Sequence, residues 1–370
     1  MRIVITGADG FIGKNLRHHL RELGHTDVRA VTRASGAAQL AAAVADADIV
    51  YHLAGVNRPT DPAEFASGNA DFTQRLCETL IAGGRPVPVV YSSSTQAALE
   101  NPYGRSKKAA EEALLAYAQR SGAAVHLFRL TNVFGKWSRP HYNSAVATFC
   151  HSVARGLPIT VNDPLAPLQL VYIDDVIAAF VRLLAAPAGD DPRPEAGPIH
   201  GTTVGELARL LEEFAASRQT LLSPPVGTGL VRALYSTYVS FLPPAQFDYA
   251  LTRHADPRGE FVEMLKTPDC GQFSYFTAHP GITRGEHYHH SKTEKFLVIR
   301  GTAHFGFRHI ETGDLHEIVT HGGDPRVVET VPGWTHNITN IGSDELIVML
   351  WANEIFDRDK PDTMAMKVKP

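Results

Sequence analysis

Cysteine is scarce. Cys77, Cys150 and Cys270 are three in 370 residues, far apart and in no C-x-x-C arrangement, which excludes a disulfide framework and a thiolate zinc cluster. An excess of charge of one sign is also missing: 35 Lys and Arg stand against 39 Asp and Glu, a net charge of −4. The chain therefore lacks the basic face that DNA or RNA binding demands, and nucleic acid is not an expected partner. No apolar run approaches the roughly 20 residues that cross a bilayer; the longest, Val176 to Pro187, is broken by Arg182 and reads as a buried helix. The N-terminus offers no apolar leader with a cleavage site, since Ile3, Val4 and Ile5 run directly into glycines. A soluble cytoplasmic protein without membrane contact is expected. Repeats and low-complexity tracts are absent too. What remains is ordinary for compact folding, 44% hydrophobic and 20% charged, and the length exceeds what one core usually serves, so two domains are expected.

From residue 1 to about 217, short β-branched runs alternate with longer helical stretches, the signature of βαβ units in an α/β, Rossmann-like, doubly wound parallel sheet. Ile12, Leu16, Leu20 and Leu23 recur at spacings of four, four and three, one apolar stripe of a first helix. Thr203 to Glu206 forms a T-x-x-E capping box ahead of Leu207, Leu210, Leu211 and Phe214. Two Pro-Pro pairs bracket a further helix, Leu230 to Leu242, and the domain boundary is placed there: 1–243 and 244–370. Beyond it the texture becomes all-β, with strands such as Phe296 to Ile299, Val327 to Val331 and Glu345 to Trp351 between glycine turns.

Gly7, Gly10 and Gly13 follow the first strand and open the first helix. Glycines at this spacing permit a tight turn, close backbone approach to a pyrophosphate and close helix–strand packing; the phosphates sit at the helix N-terminus, beside Phe11 and Ile12. An NAD-selective site places a carboxylate at the end of the second strand. Here that strand ends in Thr32 and Arg33, and an arginine pairs with a 2′-phosphate. NADP(H) is the expected cofactor; the bland reading leaves Arg33 a solvated strand end.

"NPYGRSK" puts Tyr103 and Lys107 four apart, on one face of a helix, and Ser94 ends the preceding strand in "VVYSSST". These are the parts of a hydride-transfer site. A phenol of ordinary pKa about 10 exchanges a proton near neutrality only beside a cation, which Lys107 supplies; Ser94 can hold the reacting carbonyl while Tyr103 protonates it.

The order of glycine loop, "HLAG" at 52–55, Asn69, Ser94, Tyr103, Lys107, "RLTNVFG" at 129–135 and "VYIDDV" at 171–176 resembles the extended short-chain dehydrogenase/reductase family, which includes nucleotide-sugar epimerases, dehydratases and reductases. The resemblance implies that Leu53, Ala54 and Gly55 line the cofactor and that Asn132 and Asn143 face a nucleotide sugar.

In the all-β half, Gly281 to Gly301 reads G-x5-H-x-H-x4-E-x6-G with His287, His289 and Glu294, and "HNITN" adds His336 and Asn340. This is a two-part cupin pattern and predicts a jelly-roll barrel; its second half departs from the pattern, because Pro332 directly precedes Gly333. Three imidazoles and one carboxylate suit a divalent metal, Zn first, with Mn, Fe or Ni equally compatible. "TRGEHY" followed by Lys295 is also similar to the metal-free dTDP-sugar 3,5-epimerases, in which the histidine is the base; Arg284 and Lys295 would then grip the sugar nucleotide or stabilise an enolate.

Taken whole, with "PGITRGEHYHHSKTEKFLVIRG", "WTHNITNIG" and "MLWANEIFD", the chain resembles the CapF/WbjC-type bifunctional capsular-polysaccharide enzymes. That resemblance implies C3 epimerisation of a UDP-2-acetamido-2,6-dideoxy-4-hexulose by the cupin, then NADPH-dependent reduction of the C4 ketone to UDP-2-acetamido-2,6-dideoxy-L-talose, a precursor route to N-acetyl-L-fucosamine. It also implies a UDP-sugar substrate and a homodimer. Two other readings stay open: a nucleotide-sugar 4-epimerase or dehydratase with a regulatory cupin, and a non-catalytic NADP-sensing protein, against which the intact Ser94, Tyr103 and Lys107 argue.

Overall fold

The computed structural model describes residues 1–186, 191–256, 259–262, 265, 271–354 and 359–370. Cys270, Pro187 and the last three residues of "MLWANEIFD" lie outside them. Packing divides the chain into two units, one made of Met1–Phe134, His141–Ser144 and Leu168–Gly201, the other of Gly135–Pro140, Ala145–Pro167 and Thr202–Pro370.

The first unit opens with β1 (Ile3–Thr6), α1 (Phe11–Glu22), β2 (Val28–Val31), α2 (Ala37–Val44), β3 (Ile49–His52), α3 (Phe72–Ala82), β4 (Val89–Ser94), α4 (Pro102–Ser121) and β5 (Val125–Leu130). The strands lie in the order β2-β1-β3-β4-β5, every pairing parallel. Parallel neighbours need crossover helices, which cover the sheet. β1, β3 and β4 are accordingly buried along their whole length, and this is why β1, β3 and the first half of β4 read as near-continuous apolar runs rather than alternating ones. Leu16 and Leu20 of the α1 stripe are fully buried, but Leu23 is 56% exposed, because the helix stops at Glu22 and Leu23 is its cap. β6 (Asn132–Phe134), α5 (Ala145–Val153), β7 (Pro167–Tyr172), α6 (Ile173–Arg182) and β8 (Ile199–Thr203) follow, with β6, β7 and β8 in a three-stranded sheet. α6 carries the apolar run that begins at Val176 and is buried through Ile177 and Phe180. No described helix is long and apolar enough to cross a membrane. Cys77 and Cys150 are buried free thiols.

The second unit contains α5 with α7 (Val204–Thr220) and α8 (Gly229–Ser240). Thr203 caps α7 by accepting from the Glu206 N–H at 3.2 Å, whereas the Glu206 carboxylate turns to Arg209 instead of back to the cap, so half of the capping box forms. β9 (Asp248–Ala250) is followed by the paired β10 (Arg253–Asp256) and β11 (Gly259–Val262). Then come β12 (Gln272–Ala278), β13 (Thr283–Tyr288), β14 (Glu294–Arg300), β15 (Thr302–His309), β16 (Leu315–His321), β17 (Arg326–Glu329), β18 (Trp334–Asn340), β19 (Leu346–Ala352) and β20 (Met364–Ala365). They build two five-stranded antiparallel sheets, β12-β19-β14-β17-β9 and β16-β15-β18-β13-β20. Phe296 and Phe305, 5.8 Å apart between ring centres, join the inner faces.

Strand alternation gives β14 two different faces. Phe296 points inward, while Lys295 points to the opposite side and pairs with Glu329 across the ladder at 2.6 Å. Arg218 of α7 also bonds Glu329, and the Tyr235 hydroxyl of α8 donates to it at 3.1 Å. Lys295 and Glu329 are almost fully buried. Burial disfavours both charges, but their attraction outweighs it, holding the Glu329 carboxyl at about 2 and the Lys295 ammonium above its ordinary value. Removing one member leaves uncompensated buried charge. Glu329→Ala is therefore expected to cost about 3–5 kcal/mol in chemical denaturation; a loss well under about 1 kcal/mol contradicts this account of how the helices are fastened.

Candidate active sites

The first site grows from the turn after β1. Gly7 has φ +70°, and a Cβ there would meet the Ala54 backbone nitrogen at 2.7 Å; at Gly13 it would fall 2.4 Å from the Gly7 carbonyl. α1 has Gly10 as its N-cap, with no side-chain cap and no acid in its first turn. Its free N–H groups, beside half-buried Phe11 and Ile12, thus suit an anion. β3 ends alongside: the Leu53 N–H bonds the Thr6 carbonyl and the Ala54 N–H bonds the Thr6 hydroxyl. At the end of β2, Thr32 and Ser35 close a small turn, the Thr32 N–H donating to Ser35 Oγ at 3.1 Å, and Arg33 is exposed.

Local chemistry fixes α4. Asn101 caps it, accepting from the Gly104 N–H at 2.7 Å, and Pro102 takes the first turn. A Cβ at Gly104 would lie 2.2 Å from the Gln96 carbonyl, so only glycine lets the helix approach the chain just after Ser94. Tyr103 is thereby brought to Ser94: burial pushes its phenol up and the hydrogen bond from Ser94 pulls it back. Lys107 is 4% exposed and donates to the Ser92 carbonyl at 2.8 Å and the Tyr91 hydroxyl at 3.1 Å. A Cβ on Gly55 would come within 3.4 Å of its Nζ. Burial lowers the Lys107 ammonium to about 8, with Glu111 opposing. Behind it, Glu111 accepts from Ser93 and, through both oxygens, from Arg129.

Asn132 is exposed and gives its amide to the Gln169 carbonyl at 3.0 Å. Asn143 is also exposed, next to Tyr142, whose phenol acts on Tyr103. Sequence reasoning missed Tyr91 and Glu111; nothing in "VVYSSST" marks the tyrosine as a partner of a residue on the next helix.

In the second unit, His287, His289, Glu294 and His336 present ligand atoms all within 4.8 Å of one another. A β-bulge at Gly285, with Glu286 at φ +60°, re-aims β13 just before His287. His289 Nε2 stands 3.2 Å and His336 Nε2 3.6 Å from Glu294 Oε2. Nε2 of buried His336, which faces Glu294, has no hydrogen-bond partner. A buried nitrogen without a partner beside a carboxylate is what a divalent ion would satisfy, so the residues fit the group. Of the two cations expected to meet the sugar nucleotide, Lys295 is on the opposite side of β14 from Glu294, paired with Glu329, and exposed Arg284 donates to the Thr277 carbonyl and lies over the Phe276 ring. The lysine that does reach the cluster is Lys292, with Nζ 3.0 Å from Glu294 Oε1.

A parallel dinucleotide-binding sheet, with serine, tyrosine and lysine gathered where β4 meets α4, defines a short-chain dehydrogenase/reductase. The chain belongs to the NAD dependent epimerase/dehydratase family, whose model matches residues 3–195; the family cofactor is a nicotinamide dinucleotide. Residues 254–364 match the polysaccharide biosynthesis C-terminal domain. Over 368 residues, 100% of this chain and 99% of the relative, it is 54% identical to the UDP-2-acetamido-2,6-beta-L-arabino-hexul-4-ose reductase of Pseudomonas aeruginosa. It is similar along the full length of both chains to the capsular polysaccharide assembling protein CapF of Staphylococcus aureus, with 41% identity and TM-score 0.68. A UDP-glucose 4-epimerase from Thermotoga maritima, solved with UDP-glucose, shares 27% identity over 58% of this chain and 83% of its own, with TM-score 0.52.

The ammonium of Lys107 is lost as pH rises through about 8. Ketone reduction is expected to hold its kcat/KM below that pH and fall about tenfold per unit above it. A profile still flat at about pH 10 removes Lys107 as the ionisation that governs the free enzyme.

Proposed function

We propose that this protein is a bifunctional nucleotide-sugar enzyme that epimerises C3 of a UDP-2-acetamido-2,6-dideoxy-4-hexulose and reduces the C4 ketone to UDP-2-acetamido-2,6-dideoxy-L-talose, in the supply of N-acetyl-L-fucosamine for surface polysaccharide. The observation that carries it is the presence in one chain of two chemically different clusters, Ser94–Tyr103–Lys107 and His287–His289–Glu294–His336. The nearly full-length similarity to a UDP-hexulose reductase supports the substrate class.

In the reductase portion, 1–243, Ser94 holds the C4 carbonyl, Tyr103 delivers the proton to its oxygen and Lys107 keeps positive charge beside the phenol. NADPH supplies the hydride. Thr32 and exposed Arg33 favour the 2′-phosphate, and Leu53, Ala54 and Gly55 lie along the cofactor; Asn132 and Asn143 face the sugar nucleotide. In the barrel portion, 244–370, the three histidines and Glu294 hold a divalent ion, zinc first, which supplies Lewis-acid polarisation. Lys292 replaces Lys295 as the nearby cation. The order of steps follows from acidity, since the C3 proton is labile only while C4 is a ketone. A cytoplasmic homodimer completes the reading.

Incubation with the UDP-4-keto sugar and NADPH, products read by NMR, should give the C3-inverted alcohol; an alcohol with C3 retained contradicts the epimerase half. NADPH should outperform NADH in kcat/KM, and Arg33→Ala should weaken NADPH by about tenfold while sparing NADH. Equal use of both cofactors by the unaltered enzyme removes the role given to Arg33.

A further inference from the structure

His289 of the cluster has an acceptor behind its ring. Its Nδ1 meets the backbone carbonyl of Asp362 at 2.5 Å, 73 residues away in the chain. A carbonyl can only accept, so Nδ1 carries a hydrogen and Nε2 is the nitrogen turned to Glu294. The position of that carbonyl is set by the Asp362 side chain, which accepts the backbone N–H groups of His290, Ser291 and Lys292 at 2.8, 2.7 and 2.7 Å and the Ser291 hydroxyl at 3.1 Å.

The same segment continues as a strap along the ligand strand. β20 pairs with His287 and Tyr288 of β13, the Met366 N–H bonds the Glu286 carbonyl and the Val368 N–H bonds its carboxylate. Arg308 of β15 holds the carbonyls of Lys367 and Val368. The strap is thus tied to the histidine-bearing strand on both sides of His287.

We propose that Asp362 is a positioning residue for metal binding: its carboxylate clamps the turn after His289 and places the carbonyl that orients the His289 ring, so this ligand is aimed before the ion arrives. This rests on the metal reading above. An outer partner that fixes the tautomer and orientation of a ligating histidine is typically worth about 10–100-fold in metal affinity. Asp362 itself touches neither the cluster's centre nor any reacting atom, and its carbonyl is main-chain, so only the carboxylate can be tested by substitution.

The full chain, stripped by chelator, is titrated with zinc against a chromophoric chelator, and the visible spectrum of the cobalt(II) form is recorded. Asp362→Ala should weaken zinc about 10–100-fold and alter the cobalt spectrum, with Asp362→Asn intermediate; NADPH binding by fluorescence serves as the folding control. A purely structural clamp would lower the apoprotein Tm in Asp362→Ala yet leave zinc affinity and the cobalt spectrum as in the unaltered chain, and that result overturns the proposal. Should Asp362→Ala not fold, Asp362→Asn with unaltered affinity does the same. An unaltered chain that takes up no zinc overturns the metal reading itself, which separates the two failures.

Discussion

A lysine ammonium buried against neutral groups is the constraint on which the first unit depends. Lys107 makes its hydrogen bonds to a carbonyl and a phenol, and burial has already moved it toward losing its proton. Such a charge persists only where its surroundings are rigid. The rigidity is visible in residues that no chemistry demands: Gly104, which allows α4 to touch the chain beyond Ser94, and Gly55, which leaves room above the ammonium. Further back, the Thr6 hydroxyl bonds His52, and His52 bonds Thr73, in a fully buried chain. His52 stays neutral there, lowered to about 3 by burial and then by Lys107. The glycine loop, α4 and the central strands are therefore one polar framework, with Lys107 at its end.

The second unit solves a different problem with one strand. β14 offers Glu294 to the histidine cluster and Lys295 to an ion pair beneath α7 and α8. The two carboxylates, Glu294 and Glu329, are both buried, and both are held below the ordinary carboxylate range against that burial, Glu294 first by His289 and Glu329 by Lys295 and Arg218. One gathers imidazoles and the other fastens helices. Parity along the strand decides which is which.

Much of this was legible in the sequence, for physical reasons that differ by element. The parallel strands were, because burial on both faces leaves unbroken β-branched runs; α4 was, because Asn101, Pro102 and the Tyr103–Lys107 spacing act locally. The quartet around Glu294 was legible from ligand spacing. That Lys295 faces Glu329 and not the quartet was not legible, because a motif match ignores that adjacent strand residues face opposite ways. Leu23 was counted in a stripe that the helix does not live long enough to use. Tyr91, Lys292 and Asp362 were invisible for a common reason: each acts through a contact made by tertiary packing, and a tyrosine in a strand or an aspartate in a terminal segment has no local signature of its partner.

The claim that the chain performs two separable chemistries meets its most direct test in deuterium exchange. Tyr103→Phe in the full chain removes the proposed proton donor of reduction, which should cost at least about 10²-fold in ketone reduction, and leaves the residues of the histidine cluster unaltered. Given the UDP-4-keto sugar in D2O without NADPH, this variant should exchange the C3 hydrogen at the rate of the unaltered enzyme, read by NMR. Deuterium entering C3 only when NADPH and Tyr103 are both present would contradict the division of labour.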